Sequence, residues 1–387
     1  MDLSYILNEL GEDRENYFNA ISPPIIQTSN FAFNNIEAFR AALADEYNAV
    51  LYSRGNNPTV DILRKKIAAL DGAEDALIFG SGMGAISTPI LSLLNQGDHV
   101  ISVAKPYSWT IKLFEKLLPK FGITTTFVDG RETINFEKAI QENTKLIYLE
   151  SPNSFTYELQ DLEAVAKLAK SKGITTMIDN SYCSPLHQQP YKMGIDLVAQ
   201  TATKFINGHS DVVSGVVSGS KSMIKKIFEA EFGTLGGNIS PMSAWLLIRG
   251  LRTLPIRLRH VCESTKKIVD FMAAHPKVER VIFPHHPSFP QYELAKKQMK
   301  DAGGLFSIVM NVKTVEEIEL FCNSLQHFFQ AVSWGGHESL VIPAAVSFPR
   351  DQFDSNNEHH RIVRFYVGLE DTDYLIKDLK QALTKMV

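Results

Sequence analysis

Ala76-Leu77-Ile78-Phe79-Gly80-Ser81-Gly82-Met83-Gly84-Ala85 joins a short apolar run to a glycine turn and then to the start of a helical stretch. The uncharged segment continues to Leu94, which is close to the length that spans a bilayer. Gly80, Gly82, Gly84, Ser87 and Pro89 interrupt it, so it reads as strand, turn and buried helix. A membrane partner is not expected. Runs of the same strand-like kind recur at Ala76–Phe79, His99–Val103, Thr124–Val128, Lys145–Glu150, Thr175–Ile178, Leu197–Gln200 and Val212–Val217. Helical or loop stretches separate most of them. This alternation predicts an α/β fold with a mostly parallel seven-stranded sheet flanked by helices. Val60, Leu63, Ile67 and Leu70 line one helical face behind Pro58, a favoured first-turn residue, and Gly72 ends that helix.

The pattern changes after Gly236-Gly237. A helical stretch from about Pro241 to His275, with a kink expected at Pro255, leads to strands Gly304–Met310, Ala331–Trp334 and Val363–Leu369. Helices Val315–Phe328 and Thr372–Met386 are interleaved with these strands. That is a smaller C-terminal α+β domain. The start of the chain shows little strand alternation, and Ser22-Pro23-Pro24-Ile25-Ile26 is held extended by its prolines. The expected division is an arm over 1–55 that contributes to a neighbouring subunit, a large α/β domain over 56–240 and the smaller domain over 241–387.

With 387 residues the chain exceeds what one core usually serves. Its formal net charge is −4 and its Lys and Arg are scattered, so no basic stripe is available to neutralise a nucleic-acid backbone. The N-terminus lacks the basic and apolar segments of an export signal, making the cytoplasm the expected compartment. Cys183, Cys262 and Cys322 are odd in number and far apart, which fits reduced thiols better than disulfides or a metal site.

Thr201-Ala202-Thr203-Lys204 follows a strand-like run, with two hydroxyls placed where a phosphate could be held. Asp179 ends the run Thr176-Met177-Ile178, where ligands of open α/β sheets gather. A Schiff-base lysine and a carboxylate against a pyridine nitrogen are what a protein supplies to pyridoxal phosphate (PLP). Taken singly, Lys204 could be a solvated charge and Asp179 a capping or turn residue. Gly80-Ser81-Gly82-Met83-Gly84-Ala85 matches a dinucleotide pattern, yet Ala104-Lys105-Pro106 stands where a ribose-binding acid belongs. A glycine turn at a helix N-terminus holds any phosphate, and it can also serve packing alone. Tyr52 and Arg54 offer a phenol and a guanidinium suited to a phosphate, or a surface pair ahead of a helix. Arg364, a charge inside the run Val363–Val367, needs an anion if buried, either a substrate carboxylate or a structural acid.

In this order the motifs resemble those of the Cys/Met-metabolism family of PLP enzymes, from Pro23-Pro24 to Gly368-Leu369-Glu370-Asp371. The resemblance implies the type I PLP-dependent transferase fold, with Lys204 as the Schiff-base lysine, Asp179 as the pyridinium partner and Tyr107 stacked on the ring and aiding catalysis. It implies that Gly82, Met83, Thr201 and Thr203 hold the phosphate, joined by Tyr52 and Arg54 from an adjacent subunit of a homotetramer. Arg364 and Ser333 would receive the carboxylate of a small sulfur amino acid. Two departures bear on the branch. Ser154, in Glu150-Ser151-Pro152-Asn153-Ser154-Phe155, replaces the family's usual asparagine, and Trp334, in Ser333-Trp334-Gly335-Gly336-His337-Glu338-Ser339-Leu340, replaces a leucine. Both are similar to bacterial cystathionine β-lyases, whereas Tyr52-Ser53-Arg54 and Asn57-Pro58-Thr59 look like the γ-synthase and γ-lyase pattern. Trp109 stands for a usually small residue and would wall the substrate pocket. The resemblance implies a carbon–sulfur lyase that β-eliminates cystathionine or a cysteine S-conjugate to pyruvate, ammonia and a thiol, homocysteine in the case of cystathionine. The alternative is γ-replacement or γ-elimination.

Overall fold

The computed structural model describes residues 1–386. Contacts divide them into two compact units. The first comprises Met1–Ser151, Gln160–Asn207 and Asp211–Arg252. Its sheet contains β1 (Asp75–Phe79), β2 (His99–Val103), β3 (Thr124–Val128), β4 (Thr144–Glu150), β5 (Thr175–Asp179), β6 (Leu197–Gln200) and β7 (Gly215–Gly219), in the order β1-β7-β6-β5-β4-β2-β3. Neighbours from β6 to β3 are parallel, and β7 runs antiparallel to both β1 and β6. The predicted strands are all present, with β7 beginning three residues later than its apolar run. Ser214 is diverted first: its N–H donates to Thr203 Oγ1 at 2.9 Å and its carbonyl accepts from the same hydroxyl at 3.1 Å.

Apolar side chains fill both faces of this sheet. Leu77, Phe79, Val100, Leu146, Tyr148, Met177, Leu197 and Val217 pack on one side, and Ile101, Ile147, Leu149, Ile178 and Val198 on the other. The uncharged segment resolves as β1, a turn and the Gly82–Leu93 helix, whose N-cap Ser81 accepts from Gly84 N at 3.0 Å. Among the described residues no helix is long and apolar enough to cross a membrane. Pro58 opens the Pro58–Asp71 helix, with Asn57 as cap, and Gly72 closes it at φ +71°.

The first 55 residues lie within the first unit. Lys66, fully buried, gives Nζ to the carbonyls of Ile6 (2.9 Å) and Leu7 (3.2 Å) and pairs with Glu12 at 3.1 Å. Arg252 reaches the same Glu12 oxygen at 3.1 Å. Farther along, Trp245 Nε1 donates to Pro23 O and Thr59 Oγ1 to Pro24 O. The segment is thus tied to its own chain at several points, while Phe18, Ile21 and Ile36 remain strongly exposed.

The second unit takes Pro152–Leu159, Gly208–Ser210 and the chain from Thr253 onward. Its sheet holds β8 (Val278–Ile282), β9 (Leu305–Met310), β10 (Phe329–Gln330), β11 (Leu340–Pro343) and β12 (Ile362–Tyr366), in the order β10-β11-β12-β9-β8. The expected strand at Ala331–Trp334 does not form. Ser333 adopts φ +80° and Gly335 φ +88°, which no strand accommodates, and pairing is taken up by β10 before the turn and β11 after it. The Val315–Ser324 helix stops short of Phe328 because Asp378 captures the N–H groups of Gln326 and His327. Pro255 lies inside one continuous helix, Pro241–Ala273. Cys183, Cys262 and Cys322 are all buried and not joined in disulfides.

Asp71, with no exposed surface, accepts from Ser218 Oγ at 2.6 Å and Gln200 Nε2 at 2.8 Å, and burial pushes its pKa up to about 7. An unfolded aspartate titrates near about 4, so between these values the folded state keeps a proton that the unfolded chain has released. Stability therefore falls as pH rises across that window and levels off above it. Asp71→Asn never ionises. Its denaturation midpoint should exceed wild type at pH about 8, and the difference should shrink toward pH about 4. A pH-independent difference between the two would refute this account.

Candidate active site

The carboxyl ends of β4, β5 and β6 lie side by side, with Glu150 in register with Asp179 and Asp179 with Ala199. Gln200 ends β6, and Thr201-Ala202-Thr203-Lys204 follows directly. These ends meet the glycine turn: a Cβ on Gly82 would stand 2.8 Å from both Cβ and Oγ1 of Thr201. A Cβ on Gly215 would come within 2.4 Å of Ser81 O and 2.7 Å of Gly82 Cα. Only glycine permits the three segments to approach this closely. The N–H groups of Gly82 and Met83 are first-turn donors with no carbonyl inside the helix to meet, so the turn is a seat for an anion.

Asp179 is 8% exposed. Ser181 donates to its Oδ1 through N (2.9 Å) and Oγ (2.5 Å), and Ser181 Oγ accepts in turn from Thr201 N at 2.7 Å. Burial raises the Asp179 pKa, against the Ser181 hydrogen bonds and the positive charge of Lys204. A nearby cation favours the ionised form of such an acid. Tyr107, exposed at the start of the Ser108–Lys112 helix, is held by its N–H, which donates to Glu150 Oε2 at 2.6 Å. Trp109 is 54% exposed with Lys112 Nζ 4.0 Å from its ring centroid. The hydroxyls of Thr201 and Thr203 both reach Ser214 O, at 3.3 and 3.1 Å. The Thr203 hydroxyl also accepts from Ser214 N, so its first task is to lock the turn that carries Lys204.

Gly82, Met83, Tyr107, Asp179, Thr201, Thr203 and Lys204 thus belong to the rim formed by these strand ends and the turns that follow them. Tyr52 and Arg54 are exposed and stack on one another at 5.7 Å, with Arg54 lining a cleft shared with Glu46, Tyr47 and Phe228. In the second unit, half-buried Arg364 on β12 donates through Nη2 to Ser333 O at 3.1 Å, and its guanidinium carbon lies 4.9 Å from the Phe155 ring centroid. Trp334 is half-buried in the turn next to Ser333. Sequence reasoning missed three roles: Ser181 as the clamp on Asp179, Glu150 as the anchor of Tyr107, and Phe155 as the cover of Arg364. The serine two places after Asp179 was a signal for the first, because short polar side chains there form local turns with the carboxylate.

PLP fits this rim. It has a phosphate for the glycine turn and Thr201, a carbonyl carbon for an amine such as that of Lys204, and a ring nitrogen whose protonated form a carboxylate such as Asp179 would favour.

A family model described as "Cys/Met metabolism PLP-dependent enzyme" matches residues 6–384. The chain is 38% identical over 381 residues to an L-methionine gamma-lyase of Treponema denticola, covering 96% of this chain and 94% of the relative. It is 36% identical to a cystathionine gamma-lyase of Bacillus subtilis, covering 94% of each. A crystal structure titled as metB from Corynebacterium glutamicum superposes with a TM-score of 0.92 at 32% identity, covering 100% of this chain and 99% of that one. The expected fold is the one found.

The Gly82 contact makes the phosphate seat testable. Gly82→Ala should displace Thr201 and weaken PLP binding by about tenfold, roughly the loss of one charge-assisted hydrogen bond. Spectrophotometric titration of cofactor-free protein measures this, and unchanged affinity would remove the turn from the phosphate site.

Proposed function

The chain belongs to the Cys/Met metabolism family of PLP-dependent enzymes, and from that premise we propose that it is a lyase releasing a thiol from a sulfur amino acid by γ-elimination. The observation that carries this reading is the likeness, over 94% or more of the chain, to relatives named as methionine and cystathionine γ-lyases. A second reading, β-elimination from cystathionine or a cysteine S-conjugate, is favoured by Ser154 and Trp334, whose residue types resemble bacterial cystathionine β-lyases.

When bound, PLP withdraws electron density from the α-carbon of a substrate amine and so acidifies its hydrogen. Lys204, tethered at the rim on the turn after β6, is the base suited, once unprotonated, to take that hydrogen and then one from the β-carbon, whose loss γ-elimination requires before the sulfur leaves. Asp179, held in place by Ser181, would supply negative charge to the ring nitrogen. Tyr107, fixed by the Glu150 carboxylate at its N–H, places a phenol over the rim that can pass a proton to the departing sulfur. Gly82, Met83, Thr201 and Thr203 would hold the phosphate, with Tyr52 and Arg54 completing it from a neighbouring subunit of a homotetramer. Arg364 and Ser333 would orient the substrate carboxylate in a bidentate geometry. Trp109 and Trp334 would wall the side-chain pocket and exclude water.

Supplied with L-cystathionine, the enzyme should yield 2-oxobutyrate, ammonia and cysteine, and with L-methionine it should yield methanethiol, as read by mass spectrometry. Pyruvate with homocysteine would replace this reading with β-elimination. Lys204→Ala should lose turnover in either case, and a fully active variant would refute the site assignment.

A further inference from the structure

Arg364 is covered by an aromatic ring delivered from a loop with unusual backbone. The segment Pro152–Leu159 belongs to the second unit although the residues on both sides belong to the first. It is closed on itself, with Asn153 N donating to Glu158 O at 3.1 Å and Glu158 N to Asn153 Oδ1 at 3.0 Å. Gln291 clamps it at Leu159 by two hydrogen bonds of 2.8 Å. Within it Phe155 takes φ +64° and Tyr157 φ +55°, a left-handed conformation that non-glycine residues avoid. Ser333, whose carbonyl accepts from Arg364, is left-handed as well at φ +80°. Tyr157 Oη accepts from Ser307 Oγ at 3.3 Å, and Ser307 is the register partner of Arg364 across β9 and β12. Three strained residues therefore surround one guanidinium, and such strain collects where geometry serves function.

We propose that Phe155 is a positioning residue that sets the orientation of Arg364 for the substrate carboxylate. The inference rests on the reading of Arg364 as carboxylate receptor. A guanidinium binds a carboxylate in its plane, through its edge, while an aromatic ring occupies its face. With the Phe155 ring centroid 4.9 Å from its guanidinium carbon and Ser333 O accepting from Nη2, Arg364 is restrained by two groups of strained backbone. A lone arginine on a strand would sample many rotamers, each lost on binding.

The test uses the full-length enzyme loaded with PLP and its preferred thioether substrate. Phe155→Gly removes the ring while relieving the left-handed backbone, so it separates function from folding. Phe155→Leu keeps bulk without a π face, and Phe155→Tyr keeps the face. The expected result is a KM about tenfold higher for the Gly and Leu variants, with kcat within about twofold, and near-normal values for Tyr. A second readout is the Arg364 Nε–H resonance in protein with 15N-labelled arginine, assigned by its loss in Arg364→Lys. It should shift when the ring is removed and stay in place with Tyr. Unchanged KM in the Gly and Leu variants alongside a raised KM in Arg364→Lys would overturn the role of Phe155 and leave Arg364 standing. Unchanged KM in Arg364→Lys would overturn both. A common fall of kcat and melting temperature across the Phe155 variants would mark the ring as structural only.

Discussion

Asp179 is a carboxyl taken out of water at the end of a central strand, and the rim of the first unit is arranged around that cost. Burying an isolated carboxylate costs several kcal/mol, and hydrogen bonds recover only part of it. Ser181 supplies two of them, both to Oδ1. The same hydroxyl receives Thr201 N, so the clamp on Asp179 is also a clamp on the segment leading to Lys204. Parallel pairing of β4, β5 and β6 is what makes this possible, because it brings Glu150, Asp179 and Gln200 out of the sheet at one end. Had β6 run the other way, Lys204 and Asp179 would leave at opposite ends.

Glycine sets the distance scale of the rim. Gly82 lies against Thr201 and Gly215 against Ser81 and Gly82, each at separations a Cβ would violate. The close approach brings first-turn N–H groups and threonine hydroxyls around one small volume. A similar economy governs Thr203, whose hydroxyl donates to and accepts from Ser214, holding the turn before any ligand arrives.

The first unit was legible in the sequence because its strands are buried on both faces and read as continuous apolar runs punctuated by Gly and Pro. Lys204, Asp179 and the glycine turn were legible for the same reason, since each sits where such a run ends. The second unit was less so. Its strand β8 carries charged residues, as in Val278-Glu279-Arg280, while β10 and β11 span only Phe329–Gln330 and Leu340–Pro343. Ala331-Val332 looked like strand, but the backbone turns left-handed at Ser333 and leaves Val332 three-quarters exposed. Positive φ at a serine or phenylalanine has no local sequence signal. Contacts distant in sequence impose it, and for the same reason the pairing of Phe155 with Arg364 could not be anticipated from spacing.

The two units treat buried charge in opposite senses. In the first, a carboxyl whose pKa burial raises is drawn back toward ionisation by two donors of Ser181 and by the charge of Lys204. In the second, a half-buried guanidinium on a central strand donates to a carbonyl and lies beside an aromatic ring. A left-handed residue costs on the order of 1 kcal/mol, and three of them beside Arg364 make a sum that packing elsewhere must offset. Such strain collects where geometry serves function, and here it gathers beside the arginine proposed to receive the substrate carboxylate.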